Sequence, residues 1–135
     1  MAVDYNDKTS NGNNLTNSGA AEVTTSLPFA QSTEAVDLES TESDYLYAAD
    51  SVSLSITNNL TIEQWVKFES FPSSDFVTIQ SKWKETGSND RSWFFGLNDS
   101  AGVKTLRFIV SADGTYVAGN DVSVSWTPST ATWYH

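Results

Sequence analysis

The segment from Leu60 to Phe68 alternates apolar and polar side chains, and this alternation constrains the fold more than any other feature of the sequence. Leu60, Ile62, Val66 and Phe68 fall on one phase, and Gln64 is the polar member of that phase. Successive side chains of a strand point to opposite faces of a sheet, so a period of two over this length predicts a half-buried β-strand. We expect this strand to lie at the centre of a sheet, with its apolar phase in the core.

Short alternating runs recur along the rest of the chain, separated by segments rich in Gly, Asn, Asp and Ser. These residues favour turns, through left-handed backbone or through hydrogen bonds to their own main chain. The predicted strands cover residues 35–39, 45–47, 76–83, 91–97, 105–111 and 122–126, and a further strand begins at residue 132. Many short strands at regular spacing predict an all-β, antiparallel sandwich or barrel. A chain of 135 residues suits one domain, which we expect to span residues 1–135.

The same alternation assigns each apolar side chain to one face of its strand. The residues predicted to face the core are Val36, Leu38, Val77, Ile79, Trp83, Trp93, Phe95, Leu97, Leu106, Phe108, Val110, Val122, Val124 and Trp126. The residues that alternate with them are expected on the opposite face.

Several groups of residues resemble one known family. Ser53-Leu54, followed by Leu60 to Lys67, is similar to the "sL…fTiEaWVk" signature of the laminin G-like, concanavalin A-like lectin/glucanase jelly rolls. The turn-rich segment 7–16, the run 35–54 and the final Trp133-Tyr134-His135 resemble further words of that family. The resemblance implies an antiparallel β-sandwich of the jelly-roll, concanavalin A-like type.

The resemblance also bears on the end of the chain. Members of the family continue after the word that Trp133-Tyr134-His135 begins, so we expect the C-terminal strands of the domain to be missing. Without them, inner strands become edges with unpaired N–H and C=O groups. We therefore expect self-association through open strand edges, and other domains in a larger parent protein.

The charge balance argues against several partners. The chain carries 17 acidic and 7 basic residues, a net charge of −10, which repels phosphate backbones and anionic membrane surfaces. No run approaches the ~18 apolar residues of a membrane span, and the first residues lack a signal-peptide pattern. The absence of cysteine excludes disulfides and thiol catalysis. A composition rich in Ser, Thr and Asn and low in Lys favours an extracellular, cell-surface or virion setting.

Asp7, Asn11 and Asn13 place hard oxygen atoms at alternating positions near the start of the chain. Calcium binds such oxygens, so this segment is the candidate for a structural calcium site. The EF-hand pattern does not match, because the closing Glu is absent at the required distance. A plain turn accounts for the same residues and is the favoured interpretation; no other cofactor is expected.

Glu34, Asp37 and Glu39 invite comparison with laminarinase-type glycosidases, which share this sandwich and carry alternating acids on one strand. Here the spacing puts Glu34 and Asp37 on opposite faces, and Asp37 and Glu39 about 7 Å apart along a strand. A retaining pair requires ~5–5.5 Å between its carboxyl groups. His135 is the single histidine and has no Ser or Asp partner beside it. The sequence therefore predicts no catalytic residues and no enzyme activity.

Trp65 is out of phase with its apolar neighbours in the strand 60–68. Either a loop covers it, which is the favoured interpretation because a bare indole is costly, or it offers a flat platform to a sugar ring. Loops at one end of a sandwich concentrate binding residues. The further ligand-binding candidates on such loops are Lys84, Asn89, Asp90, Tyr116, Asn120 and Asp121.

These features together predict a non-catalytic recognition or adhesion module of a larger extracellular or surface protein, with a glycan or glycoprotein as ligand. One alternative is a structural or assembly spacer in a surface or virion protein, which a flat surface without a pocket would favour. The other is a glycoside hydrolase of the glucanase branch. Resemblance of fold cannot choose between binding and spacing.

Overall fold

The computed structural model describes residues 4–71, 75–84, 90–100 and 102–135. In this part of the chain the regular structure consists of antiparallel strands and short 3₁₀ turns, without an α-helix and without any helix that could cross a membrane. The prediction of an all-β, antiparallel fold is confirmed. Contacts between residues divide the chain into two compact units, Met1–Ser55 and Ile56–His135.

The N-terminal unit consists of two small antiparallel pairs. Its elements are β1 (Thr16–Ser18), β2 (Glu22–Thr24), β3 (Ala35–Asp37), a 3₁₀ turn at Ser40–Glu42, β4 (Tyr45–Tyr47) and a 3₁₀ turn at Val52–Leu54. β1 pairs with β4, and β2 pairs with β3. The Asp44 carboxylate accepts hydrogen bonds from the N–H groups of Ala20 and Glu39, at 2.7 and 3.2 Å. It thereby ties the turn after β1 to the 3₁₀ turn before β4.

β3 is shorter than predicted. It ends at Asp37, and the chain enters a 3₁₀ turn three residues later, at Ser40. Leu38, predicted to face the core, is 48% exposed because it lies beyond the strand. The inward assignment of Leu38 is therefore wrong, whereas Val36 lies inside β3, opposite Val23.

The C-terminal unit is built on one four-stranded sheet. Its strands are β5 (Val66–Lys67), β6 (Asp75–Lys82), β7 (Trp93–Ser100), β8 (Val103–Val110), β9 (Asp121–Ser125) and β10 (Trp133–Tyr134). The sheet order is β6-β7-β8-β9, all antiparallel, and β10 pairs separately with β5. Each strand of the sheet thus pairs with its neighbour in sequence.

The face of this sheet that is turned toward β5 and β10, here the inner face, carries most of the predicted core. Leu97 is 1% exposed and lies between Val77 and Leu106 of the adjacent strands. Phe68, directly after β5, packs edge-on against Trp126 with ring centroids 6.1 Å apart. A gap of about 290 Å³ remains between the layers. Its apolar lining comes from both, and includes Ile62, Val66, Ile79, Phe95, Leu106 and Tyr134.

The segment 60–68 shows the predicted alternation in burial, with its apolar phase partly covered and Phe68 buried. Ladder hydrogen bonding, however, is confined to β5 and reaches β10 over two residues. The prediction of a central sheet strand at this place is wrong. Alternation indicates which side chains are covered, but a central position in a sheet also requires a hydrogen-bonded strand on each side.

β9 lies at one edge of the sheet, and its apolar side chains are exposed. Val122 and Val124 are 75% and 59% exposed, and Val110 on β8 is 47% exposed. All three were predicted to face the core, which is wrong for these positions. Alternation defines the phase of an edge strand but does not provide a layer that covers it. Trp93, by contrast, is 8% exposed, and its core assignment is confirmed.

β6 contains an irregularity that changes which residues share a face. Val77 lies opposite Leu97, but the next inward residue of β7, Phe95, lies opposite Gln80. One additional residue in a strand moves every following side chain to the other face. Trp83 was predicted to share a face with Val77; because of this bulge it lies on the opposite side of the sheet, and the prediction is wrong.

Candidate functional site

The face of the four-stranded sheet opposite the inner face carries an open cleft of about 570 Å³. Its lining residues are Phe76, Thr78, Ser81, Trp83, Arg91, Phe94, Arg107, Ile109 and Tyr116. β6, β7 and β8 supply most of them, and the segment before β9 supplies Tyr116. The bulge in β6 brings Trp83 to this face, so the irregular register builds one wall of the cleft.

Four aromatic rings form a continuous series of edge contacts in the cleft. Phe94 meets Phe76 at 5.6 Å and Trp83 at 6.4 Å between ring centroids, and Trp83 meets Tyr116 at 6.3 Å. Aromatic pairs prefer such edge-to-face contacts because the positive edge of one ring lies against the negative face of the other. Phe94 is buried, whereas Phe76 and Tyr116 are 44% and 48% exposed. The cleft therefore has a closed floor and an accessible aromatic rim.

Because Gly96 has no side chain, it leaves room for the buried Phe94 ring, which forms the floor of the cleft. A Cβ at this position would stand 2.7 and 3.1 Å from two ring atoms of Phe94 and would overlap the carbonyl oxygen of Val77. Any side chain at position 96 would displace the Phe94 ring or the backbone of β6. The absence of a side chain thus sets the depth of the cleft.

Two guanidinium groups lie over rings of the same cleft. Arg91 lies over Trp83 at 5.6 Å, and Arg107 lies over Phe76 at 5.7 Å. The Nη2 and Nε groups of Arg107 also donate to one carboxylate oxygen of Asp121, at 2.9 and 3.3 Å. Burial lowers the pKa of Arg107, but its hydrogen bonds with Tyr116 and Asp121 raise the pKa above the ordinary value. Arg107 is therefore a charged group held in place by its partners.

A short ordered loop positions Tyr116 above the sheet. The Asp113 carboxylate accepts hydrogen bonds from the N–H and hydroxyl groups of Thr115, at 2.9 and 2.7 Å. These bonds, chiefly the one from the hydroxyl, lower the pKa of Asp113. Ser111 donates to the Thr115 carbonyl at 2.6 Å, and Val110 N–H donates to the Asn120 carbonyl at 3.1 Å. Both ends of the loop are thus attached to the sheet.

The structure brings part of the predicted loop set together. Tyr116 lines the cleft, and Asp121 holds Arg107 of its lining. Asn120 contributes backbone bonds that close the loop. Lys84 and Asp90 form an ion pair at 3.7 Å between exposed side chains, next in sequence to Trp83 and Arg91 respectively, and neither lines the cleft. Asn89 lies outside the described residues.

Trp65 does not belong to this cleft. It is 44% exposed and contacts the ring of His135, with centroids 5.0 Å apart. The prediction that a loop buries Trp65 is wrong, because almost half of its surface is exposed. Trp65 remains an exposed aromatic residue outside the lining of the cleft.

The candidate calcium segment is built as a hydrogen-bonded turn. The Asp7 carboxylate accepts bonds from the N–H groups of Thr9 and Asn13, at 2.7 and 2.8 Å, and these bonds lower the pKa of Asp7. The Asn13 amide oxygen accepts bonds from the hydroxyl groups of Ser51 and Ser53, at 2.7 and 3.1 Å. The side-chain oxygens of Asp7 and Asn13, two of the three proposed ligands, thus serve the protein itself. These residues do not fit a metal site, and we derive no role for calcium from them.

The acids compared with glycosidase residues do not lie on one strand. Asp37 is the last residue of β3, and Glu39 precedes the 3₁₀ turn and donates its N–H to Asp44. Glu34 lies before β3. The premise that Asp37 and Glu39 share one face of a single strand is therefore wrong, because the strand ends between them.

Sequence reasoning missed Phe76, Phe94, Arg91 and Arg107 as members of a site. A signal for the two phenylalanines was present, because each is an aromatic residue out of phase with an apolar neighbour, as Trp65 is. The arginines carry no comparable signal. Their role becomes visible only when pairing of β6, β7 and β8 places them beside the rings.

Comparison with known proteins agrees with this architecture. A family model for the concanavalin A-like lectin/glucanases superfamily, of laminin G-like type, matches residues 40–135. No curated protein and no solved structure gives a significant match. Laminin G-like domains are usually extracellular and typically non-enzymatic, fitting a recognition or adhesion module, while the superfamily also includes glycosidases. Since the match covers well over half of the chain, this protein belongs to the concanavalin A-like lectin/glucanases superfamily.

Proposed function

We propose that this chain is a non-catalytic carbohydrate-recognition module and that the aromatic cleft is its binding site. The observation that carries the proposal is the arrangement of four aromatic rings and two arginines around one open cleft of about 570 Å³. A volume of this size lies within the ~300–1,000 Å³ range of ordinary ligand pockets. It also argues against the spacer alternative, for which a flat surface is expected.

The chemistry of the lining suits a sugar ring. Sugars present apolar C–H faces, which pack on exposed aromatic rings such as Phe76 and Tyr116, and hydroxyl groups around their edge. The hydroxyls of Thr78 and Ser81 and the N–H groups of Arg91 lie in the same lining. Such a site can therefore contact both the face and the edge of one ring.

Binding is favoured over hydrolysis by the residues in the cleft. Glycosidases generally need two carboxyl groups flanking the scissile bond, one as acid and one as base or nucleophile. Among the described residues that line the cleft, none is acidic. The Asp121 carboxylate adjoins the lining, but it is occupied by Arg107. This supports a module that binds without cleaving.

The setting we propose is a larger extracellular or cell-surface protein in which this module attaches to a glycan or glycoprotein. Laminin G-like domains are usually extracellular, which supports this placement. An acidic chain of net charge −10 is also poorly suited to nucleic acid or anionic membranes. Adhesion through a surface glycan would be the consequence of binding at the cleft.

The test is a glycan array probed with the full chain and with three variants. Trp83→Ala and Tyr116→Ala should each weaken binding of any positive glycan at least ~10-fold, since losing a stacking ring removes on the order of 1.4 kcal/mol. Trp65→Ala is the matched control, an exposed Trp outside the cleft, and should bind like the parent chain. Binding should persist with chelator present, because no calcium is assigned to the site.

Two results would contradict the proposal. One is the absence of binding to every glycan by a folded chain, which would favour the spacer alternative. The other is binding that Trp65→Ala abolishes and Trp83→Ala leaves intact, which would place the sugar on Trp65. Release of reducing ends from laminarin or mixed-linkage glucan would overturn the non-catalytic part.

A further inference from the structure

Both arginines of the sequence, Arg91 and Arg107, line the cleft, although the chain as a whole carries a large excess of acidic residues. Each guanidinium lies over an aromatic ring of the lining, at 5.6 Å from Trp83 and 5.7 Å from Phe76. Arginine can stack on a ring and still present N–H donors at the edge of its plane. The cations are thus placed where a ligand stacked on the rings would meet them.

The lining offers an excess of hydrogen-bond donors. A guanidinium carries five N–H donors and accepts none, whereas the hydroxyls of Thr78, Ser81 and Tyr116 can each donate and accept. Among the described lining residues there is no carboxylate and no amide side chain. The hydroxyl groups of a neutral sugar need acceptors as well as donors. A donor-rich site is better matched to a ligand group that only accepts, and an ionised oxyanion is such a group.

We propose that the cleft is selective for acidic saccharides, with the carboxylate of a hexuronic acid bound by Arg91; this inference rests on the proposed function of the cleft. The planar fork of a guanidinium matches a carboxylate with two parallel N–H···O bonds, which a hydroxyl group cannot reproduce. The sugar ring stacks on the rim aromatics while its carboxylate meets Arg91.

The two arginines have different roles in this arrangement. Arg107 is 16% exposed at its side chain and donates twice to Asp121, so it is a positioning residue that orders Tyr116 and the wall of the cleft. Arg91 lies at the end of the cleft next to Trp83 and is only partly covered. It is the group that contacts the carboxylate. Selectivity for acid over ester should therefore follow Arg91.

The experiment is calorimetric titration of the full chain with trisaccharides of galacturonate, mannuronate and glucuronate. Each is compared with its fully methyl-esterified form, which keeps the ring and removes the charge, and with a sulfated neutral trisaccharide. At least one uronate should bind ~10-fold or more tightly than its own ester, the ratio expected for one charge-assisted hydrogen bond. The sulfated sugar should bind less tightly than the best uronate.

Variants locate the effect. Arg91→Gln should bind the acid and the ester about equally, and Arg91→Lys, which keeps charge without the fork, should retain only part of the preference. Lys8→Gln is the matched control, since Lys8 is an exposed cation of the N-terminal unit and its loss changes net charge equally. This control should keep the full preference.

The outcomes separate the inference from the proposed function. Equal binding of acids and esters that Trp83→Ala abolishes would leave a sugar-binding cleft and overturn acid selectivity. A preference that Arg91→Gln does not change, or tighter binding of the sulfated sugar, would overturn the assignment of a carboxylate to Arg91. Failure of every saccharide, neutral or acidic, to bind the folded chain would overturn both.

Discussion

Gly96 is the position at which the smallest chemical change should alter the cleft most. Its neighbours are the ring of Phe94 on one side and the carbonyl oxygen of Val77 on the other, both closer than an added Cβ allows. The ring can turn away only by leaving the floor, and the carbonyl belongs to the paired backbone of β6 and β7. The depth of the cleft and the packing of the sheet therefore depend on the same residue.

We expect Gly96→Ala to lower the free energy of unfolding by about 1–3 kcal/mol, the usual cost of adding a group to a packed position. It should also weaken ligand binding, because Phe94 shifts. Urea denaturation measures the first effect. Ser123→Ala, a small change at an exposed position of β9, is the control and should stay within ~0.5 kcal/mol of the parent. An unchanged midpoint for Gly96→Ala would contradict the packing argument.

A second feature at the scale of single residues is the ion pair between Asp99 and Lys104. They lie directly opposite each other on β7 and β8, and 2.9 Å separates Lys104 Nζ from Asp99 Oδ2. The side chain of Lys104 is 16% exposed, and that of Asp99 is 4% exposed. The N–H of Gly102 donates to the other carboxylate oxygen at 3.0 Å. The hydrogen bond from Lys104 is the main cause that lowers the pKa of Asp99, against the opposing effect of burial.

A carboxyl group whose pKa is lowered in the folded state stabilises the fold above its unfolded pKa, which is about 3.9. That stabilisation is lost as pH falls through the lowered pKa. The free energy of unfolding should therefore decrease below about pH 4, and Asp99→Asn should flatten this part of the profile while destabilising the fold at neutral pH. Denaturation at pH 7, 4 and 3 measures it, with Glu63→Gln as an exposed control. Parallel profiles for Asp99→Asn and the parent would refute the assignment.

At the scale of secondary-structure elements, the bulge in β6 decides which side chains reach the cleft. Before the bulge, Phe76 and Thr78 project into the cleft; after it, Ser81 and Trp83 do so. In a regular strand the residues after position 79 would keep the original phase, and Trp83 would project from the inner face. With all eight residues of β6 present, the site thus requires an interrupted strand.

Deleting Gln80 should restore regular pairing without moving Trp83, because Ile79 would take the place opposite Phe95 and Ser81 would stay opposite Phe94. We expect the far-ultraviolet circular dichroism to remain that of a β protein and saccharide binding to stay close to that of the parent chain. The substitution Gln80→Ala keeps the residue count and the bulge, so it should bind normally. A loss of binding by the deletion variant as large as in Trp83→Ala would show that the bulge itself, and not the register after it, holds Trp83 in the cleft.

At the scale of the whole molecule, the net charge of −10 and the two arginines of the cleft act over different distances. At physiological ionic strength charges are screened beyond about 8 Å, so a small acidic sugar in the cleft experiences mainly the nearby arginines. A long polyanion, in contrast, would extend beyond the cleft over the surrounding surface, where acidic residues are in excess. Duplex DNA, with one charge per ~1.7 Å, accumulates this repulsion.

We therefore expect no binding to a short DNA duplex at about 150 mM salt, even if acidic trisaccharides bind. Fluorescence anisotropy of a labelled duplex provides the measurement, and a positively charged protein of similar size provides the control. Anisotropy that rises with protein concentration would show that the arginines dominate the electrostatics of the whole surface.

The sequence alone was sufficient to predict much of the fold, because the features concerned depend only on residues that are neighbours in the chain. Side-chain direction along a strand has a period of two, so alternation identified the β character of the chain and the core positions of Trp93 and Leu97. Turn chemistry also directed attention to Tyr116 and Asp121, which the structure places at the cleft. These inferences require only neighbours in sequence.

The tertiary structure decided what depends on residues far apart in the chain. Alternation orders side chains relative to one another within a strand, but pairing with β7 creates the bulge that reverses Trp83. Arg107 and Asp121 lie 14 residues apart and meet because β8 pairs with β9. Likewise, Val122 has the phase of a core residue and remains 75% exposed, because burial depends on which layers pack together rather than on periodicity.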